Sequence, residues 1–238
     1  MAQEYIVVLL VLGAFILAGV LSFWLTPHVS EFAHKVGAMD VPRDSRRMHK
    51  KPIPRMGGLA IFMGFMAALM IFGRLDVQML SILLGAMIIV VLGIFDDIVA
   101  LGAKFKFCIQ IIAAAIPVCI GGLKIEFFTS FNPFSNDPYF SLGVLSIPVT
   151  IIWIVGITNA VNLIDGLDGL AAGVSSIAAM TMLAVGLLTN EVMVAITMAA
   201  LAGSCIGFLP YNFNPAKIFM GDTGSTFLGS VSYTHLRA

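Results

Sequence analysis

Apolar residues run through this 238-residue chain in long blocks, without the strict alternation of a half-buried strand. Blocks close to the roughly 20 residues that cross a bilayer as a helix lie at about 5–26, 57–73, 77–94, 105–123, 143–163, 169–188 and 192–211. The pattern predicts an all-α, polytopic transmembrane helix bundle of about seven complete helices, with the start of an eighth near Ser225. The closing "SVSYTHLRA" is too polar and too short to complete that crossing. The expectation is a single, C-terminally truncated transmembrane domain over 1–238, with 231–238 a foreign or broken tail.

Composition strengthens the membrane reading. The chain is 59% hydrophobic and 11% charged, with a mean hydropathy of +1.01, far from the globular norm of about a quarter charged. The first block is not a cleavable leader, because no basic region precedes it and its basic cluster follows. Cys108, Cys119 and Cys205 sit inside apolar runs and read as small hydrophobes. No Walker loop, no G-x-G-x-x-G after a strand and no G-x-S-x-G occurs, so soluble nucleotide-binding and hydrolase folds have no support and no nucleic-acid partner is expected.

Charge then orients the bundle. The segment 27–56 carries Lys35, Arg43, Arg46, Arg47, Lys50, Lys51 and Arg55 against Glu31, Asp40 and Asp44, which by the positive-inside rule makes it a basic cytoplasmic loop and puts the N-terminus outside. Counting crossings brings about 95–106, 164–168 and 212–224 to the same face, adding Lys104, Lys106 and Lys217, whereas the opposite loops offer Arg74 and Lys124. By the same parity Asp96, Asp97, Asp165, Asp168 and Asp222 all fall at cytoplasmic helix ends.

Each acid has its own polar or glycine-rich surroundings. In "GIFDDIVALGAKFKF", adjacent Asp96 and Asp97 need a cation or donors nearby if both are to stay ionised; Mg²⁺ would serve, and Lys104 or Lys106 could serve instead. In "NAVNLIDGLDGL", Asn159, Asn162 and Asp165 at intervals of three span about 120° of a helix and can line one side of a cavity. Asp168 lies further round, and Gly166 and Gly169 permit a helix break that frees backbone N–H groups. An interhelical Asn ladder is the bland alternative. "YNFNPAKIFMGDTGS" sets Asn212, Asn214, Lys217 and Asp222 before the eighth run, where Asp222 could cap a helix, and a helix N-terminus also favours anions. In "DSRRMHKKPIPRMGG" the cations either set topology alone or form a stiffened turn that delivers positive charge to a phosphate-rich substrate.

Together "RRMHKKPIPRMGG", "GIFDDIVAL", "NAVNLIDGLDGLAAG" and "NFNPAKIFMGDTGS", in this order over about residues 40–229, resemble the polyprenyl-phosphate N-acetylhexosamine-1-phosphate transferases. The resemblance implies a multi-pass plasma-membrane enzyme with a cytoplasmic active site, which moves a sugar 1-phosphate from a UDP-sugar to a polyprenyl phosphate with Mg²⁺ or Mn²⁺ and releases UMP. Arg55 stands where the muramoyl-pentapeptide branch carries threonine, so the chain is more similar to the undecaprenyl-phosphate N-acetylglucosamine-1-phosphate branch. The implied substrates are UDP-GlcNAc and undecaprenyl phosphate, feeding teichoic acid, O-antigen or related envelope glycans; membrane lipids are partners, and a homodimer is allowed.

Position by position, the resemblance makes Asp222 the principal metal ligand, and Asp96 and Asp97 the catalytic pair that positions metal and acceptor phosphate. Asp97 is the second metal ligand in this reading and Asp96 the base. Asn159, Asn162, Asp165, Asp168, Asn212, Phe219, Lys50 and Lys106 are expected around the nucleotide sugar, with Phe219 against uracil, and Arg46, His49 and Arg55 in the basic loop motif. The rival readings are the muramoyl-pentapeptide branch, a secondary transporter, which would gather its acids near mid-membrane in repeated halves, and a structural subunit.

Overall fold

The computed structural model describes residues 2–42, 51–129 and 139–231. Among these residues the chain forms α1 (Ala2–Val36), α2 (Gly58–Phe72), α3 (Val77–Val99), α4 (Ala103–Cys119), α5 (Ser146–Ile164), α6 (Leu170–Leu188), α7 (Val192–Asn212) and α8 (Gly221–Val231). Two small antiparallel pairs join them, β1 (Met39–Asp40) with β2 (Ile53–Pro54), and β3 (Phe127–Thr129) with β4 (Tyr139–Ser141). The expected all-α polytopic bundle is what is found: the seven apolar blocks are α1 to α7, and α8 opens at Gly221, just ahead of Ser225.

Lipid offers no partner for backbone N–H and C=O groups, so an apolar block in a bilayer must satisfy them internally as helix. Among the described residues, five helices are long and apolar enough to cross, α1, α3, α5, α6 and α7. With 15 and 17 residues, α2 and α4 are shorter. The largest departure from the hydropathy boundaries is α1, which continues through Pro27 to Val36. Proline removes one hydrogen bond from the helix, but Val29 and Ala33 beyond it are buried and reward continuation. The first ten residues of the expected basic loop are therefore helical.

Packing centres on α7, which is flanked by α1, α2 and α6, while α8 is wedged among α2, α3 and α5. Gly203 and Gly207 let α7 lie against α1 so closely that a Cβ at either would collide with the Phe15 or Gly19 carbonyl oxygen. Such small-residue contacts replace the hydrophobic drive that lipid does not supply. Phe62 and Phe65 of α2 meet Phe227 of α8 edge-on, with ring centroids 5.3 and 5.4 Å apart. This wedge fixes the N-terminus of α8 at one end of the bundle, beside the C-termini of α3, α5 and α7.

Candidate active site at one end of the bundle

Asp97 is where this end is tied together. Its side chain is fully buried at the end of α3. Its Oδ1 accepts the Asp222 backbone N–H at 2.9 Å, and its Oδ2 accepts the Thr223 N–H at 3.1 Å and the Thr223 hydroxyl at 2.7 Å. A residue 125 positions away thus caps α8, where the first N–H groups have no intrahelical partner and the helix dipole favours negative charge. The Arg55 guanidinium approaches Oδ1 to 3.6 Å. The chain runs into the cap through Gly221, whose φ of +73° and position, with a Cβ only 2.5 Å from Asp97 Oδ2, both exclude side chains. Gly221→Ala is therefore expected to cost at least about 1–2 kcal/mol from backbone conformation alone and to lower the thermal unfolding midpoint in detergent; an unchanged midpoint would contradict this cap.

The neighbouring acid does different work. Asp96 Oδ1 accepts the Leu101 N–H at 2.7 Å, closing the α3–α4 turn, and Oδ2 accepts from Lys106 Nζ at 2.8 Å. Lys106 also reaches Asp222 Oδ2 at 2.9 Å, so one ammonium holds two carboxylates from opposite ends of the motif set. Asn162 Nδ2 donates to the other Asp222 oxygen at 3.1 Å and to Ser225 Oγ at 2.8 Å. Asp222 is thereby fixed on both sides.

The two remaining loops are clasped to each other. Asp168 Oδ2 accepts the Ala216 N–H at 3.0 Å; Asn212 accepts the Gly169 N–H at 3.1 Å and donates to the Ile218 carbonyl at 3.0 Å. The segment before α8 pairs with the entry to α2, through Phe219 N–H to the Pro54 carbonyl and the Gly57 and Gly58 N–H groups to the Phe219 and Met220 carbonyls, all at 2.9 Å. Between these loops lies a cavity of about 710 Å³, lined among others by Arg55, Asn162, Asp165, Asp168, Asn212, Phe219 and Asp222. That volume lies within the range of small-molecule sites.

Most of the described site residues expected from sequence therefore converge, whereas Asn159 does not. Its amide donates to Gln110 Oε1 at 2.7 Å and to the Val155 carbonyl at 2.8 Å, one turn below the cavity. Gln110, buried in α4, is not among the site residues expected from sequence; its signal there is a lone amide within "FCIQIIAAA". Arg46, His49 and Lys50 lie outside the described residues. Among the described residues no group of three or more His, Cys, Asp or Glu is arranged to hold a metal ion by itself.

Asp165 caps the C-terminus of α5 and lines the cavity. Burial, then the charges of Asp97 and Asp222, raise its carboxyl to about 8, with Arg55 opposing. An acid with a raised folded pKa favours the folded state below its unfolded value near 4, and that contribution is lost as pH rises to about 8. With divalent ions chelated, the unfolding midpoint should fall between about pH 5 and pH 8, and Asp165→Asn should flatten that slope. A slope unchanged in the variant would assign it to other groups.

Fold and site together define the class: a polytopic all-α membrane protein with carboxylates, a lysine and amide groups gathered around a cavity at its helix ends. The chain belongs to glycosyl transferase family 4, whose family model matches residues 79–236. It is 48% identical over 217 residues to the probable undecaprenyl-phosphate N-acetylglucosaminyl 1-phosphate transferase of Bacillus subtilis (strain 168), covering 91% of this chain and 59% of that protein. Identity is 37% over 230 residues to the decaprenyl-phosphate N-acetylglucosaminephosphotransferase of Mycobacterium tuberculosis (strain ATCC 25618 / H37Rv), covering 89% and 56%. A phospho-N-acetylmuramoyl-pentapeptide-transferase of Clostridium beijerinckii (strain ATCC 51743 / NCIMB 8052) is 33% identical over 233 residues, covering 93% and 72%. The chain spans little more than half the length of the first two.

Proposed function

We propose that the protein transfers N-acetylglucosamine 1-phosphate from UDP-GlcNAc to undecaprenyl phosphate at the cytoplasmic face of the plasma membrane, releasing UMP and starting an envelope polysaccharide such as teichoic acid or O-antigen. The observation that carries this reading is Asp222, held by Lys106 and Asn162 at the wall of a cavity that opens among helix ends. The cytoplasmic assignment rests on the basic residues of 27–56, which adjoin the cavity through Arg55.

In this reading an oxygen of the lipid phosphate attacks the sugar-bearing phosphorus, and the bond from that phosphorus to the UMP oxygen breaks. Both reactants are anions, so the site must hold like charges together and absorb the charge of the leaving UMP. Lys106 and Arg55 supply fixed positive charge. Asp96, whose carboxylate accepts from Leu101 and Lys106, is the group that would take a proton from a protonated acceptor phosphate. Phe219 offers a ring to the uracil, and Asn162, Asp165, Asp168 and Asn212 line the path of the nucleotide sugar.

Mg²⁺ fits this donor set: all its candidate ligands are hard oxygens, and the ion commonly needs only one or two carboxylates beside substrate phosphates and water. Asp222, which lines the cavity, would hold it, and Asp97, whose fully buried carboxylate is not part of that lining, would serve by fixing Asp222 in place. When bound, the ion, or Mn²⁺ in its stead, supplies neutralisation of the diphosphate.

The test is UMP release by the purified full-length protein in undecaprenyl phosphate-containing vesicles with Mg²⁺. UDP-GlcNAc should support release, and UDP-N-acetylmuramoyl-pentapeptide should not. The reverse preference would move the protein to the muramoyl branch, and release with neither donor would end the proposal.

A further inference from the structure

At the opposite end of the bundle from the cavity, α4 passes to α5 through the hairpin β3–β4. Its register pairs Phe127 with Ser141, Phe128 with Phe140 and Thr129 with Tyr139. Cross-strand partners share a face and successive residues alternate. Phe128 and Phe140 therefore occupy one face, and Phe127 and Tyr139 the other, where their ring centroids lie 5.7 Å apart. All four rings are exposed, from 43% for Phe128 to 63% for Tyr139. An isolated two-stranded hairpin is marginal at best in water. This one presents aromatic rings on both faces and buries none of the four.

The root of the hairpin fixes its depth. The Ile125 N–H donates to Thr150 Oγ1 at 2.9 Å, Ser146 Oγ donates to the Ile125 carbonyl at 2.6 Å, and the Leu142 N–H donates to the Glu126 carbonyl at 2.9 Å. Ser146 and Thr150 belong to the first two turns of α5, so the hairpin is pinned level with the start of that span. Val144, Leu145 and Ile147 there are 92%, 59% and 42% exposed, and they open the apolar crossing Gly143–Ile164. The root bonds thus set the aromatic hairpin beside the exposed apolar start of α5. Lys124 and Glu126, both exposed at its root, supply the polar side of a boundary position.

We propose that β3–β4 is an interfacial anchor, with both of its faces embedded at the headgroup–acyl boundary of the leaflet opposite the cavity. Aromatic side chains favour that depth, and an apolar element held there gains by burying its rings among the upper acyl chains. The anchor also ties the α4–α5 connection to the bilayer, holding the far ends of the two helices whose near ends carry Lys106 and Asn162.

The test places tryptophan on each face in turn, Phe128→Trp and Tyr139→Trp, in a background carrying Trp24→Phe and Trp153→Phe, with the full chain in phosphatidylcholine–phosphatidylglycerol vesicles. Both tryptophans should emit blue-shifted light and resist aqueous iodide. Lipids brominated high on the acyl chain should quench them more than lipids brominated at the chain end. Iodide quenching at both positions without a bromolipid effect would overturn the proposal, placing the hairpin in water. Bromolipid quenching at one position alone would overturn embedding of both faces. Quenching by neither agent, with Tyr139→Cys giving a disulfide-linked pair, would overturn it in favour of a second copy of the chain. Hydroxyl-radical labelling of the unaltered protein reads the same surface if a variant misfolds: Tyr139 and Phe140 should be protected in vesicles, and strong labelling there would count against the anchor.

Discussion

Asp97→Ala is expected to cost about 3–5 kcal/mol of stability and to abolish UMP release with it. The substitution strands two backbone N–H groups of α8 and the Thr223 hydroxyl, which Asp97 alone is seen to satisfy. A buried donor without a partner costs about 1–3 kcal/mol, and three are stranded here, whereas the Arg55 side chain, 35% exposed, can turn to water and adds little. The contact geometry leaves little room for relaxation, because a Cβ on Gly93 would strike Thr223 Cα and one on Gly58 would strike Gly224 Cα. Asp97→Asn keeps an acceptor for one of the N–H groups and should fall between wild type and Asp97→Ala in both measurements. The unfolding midpoint in detergent separates the two possible roles. If Asp97→Ala melts like wild type and is nonetheless inactive, Asp97 acts on the substrate or its metal, and the role argued here, through the N-terminus of α8, is wrong.

Hydropathy located α2 to α7 within a few residues because lipid leaves an apolar block no conformation but helix. It misjudged the end of α1, where the deciding factor is burial of Val29 and Ala33 beyond Pro27. Parity of crossings sent all five acids to one end, and there the structure has them. Parity and spacing carry no information about which oxygen faces which donor. Asp96 and Asp97 look equivalent in "FDDI", but about 100° of helical rotation separates neighbours, turning Asp96 to Lys106 and Asp97 to α8. The same limit applies to Asn159, which shares a periodic stripe with Asn162 yet bonds Gln110 of a helix whose rotation no local pattern sets.

Asp222→Ala should lower the rate of UMP release by about 10²–10³-fold with Mg²⁺ saturating, the scale seen when a fixed group that stabilises transition-state charge, here through the ion it would hold, is removed. Lys106→Met should lose about 10²–10³-fold by the same reasoning. More telling is the double variant. Lys106 Nζ lies 2.8 Å from Asp96 and 2.9 Å from Asp222, so each single change leaves the survivors in the wrong electrostatic setting. Without Lys106 the two carboxylates repel across the site; without Asp222 the ammonium retains only Asp96 and turns toward it. Groups that act as a unit give losses far smaller than the product of the single effects. The double variant is therefore expected within about tenfold of Asp222→Ala alone. Multiplicative losses would mean that Lys106 and Asp222 work on separate parts of the reaction. More than about a tenth of wild-type rate in Asp222→Ala would remove Asp222 from the centre of the site.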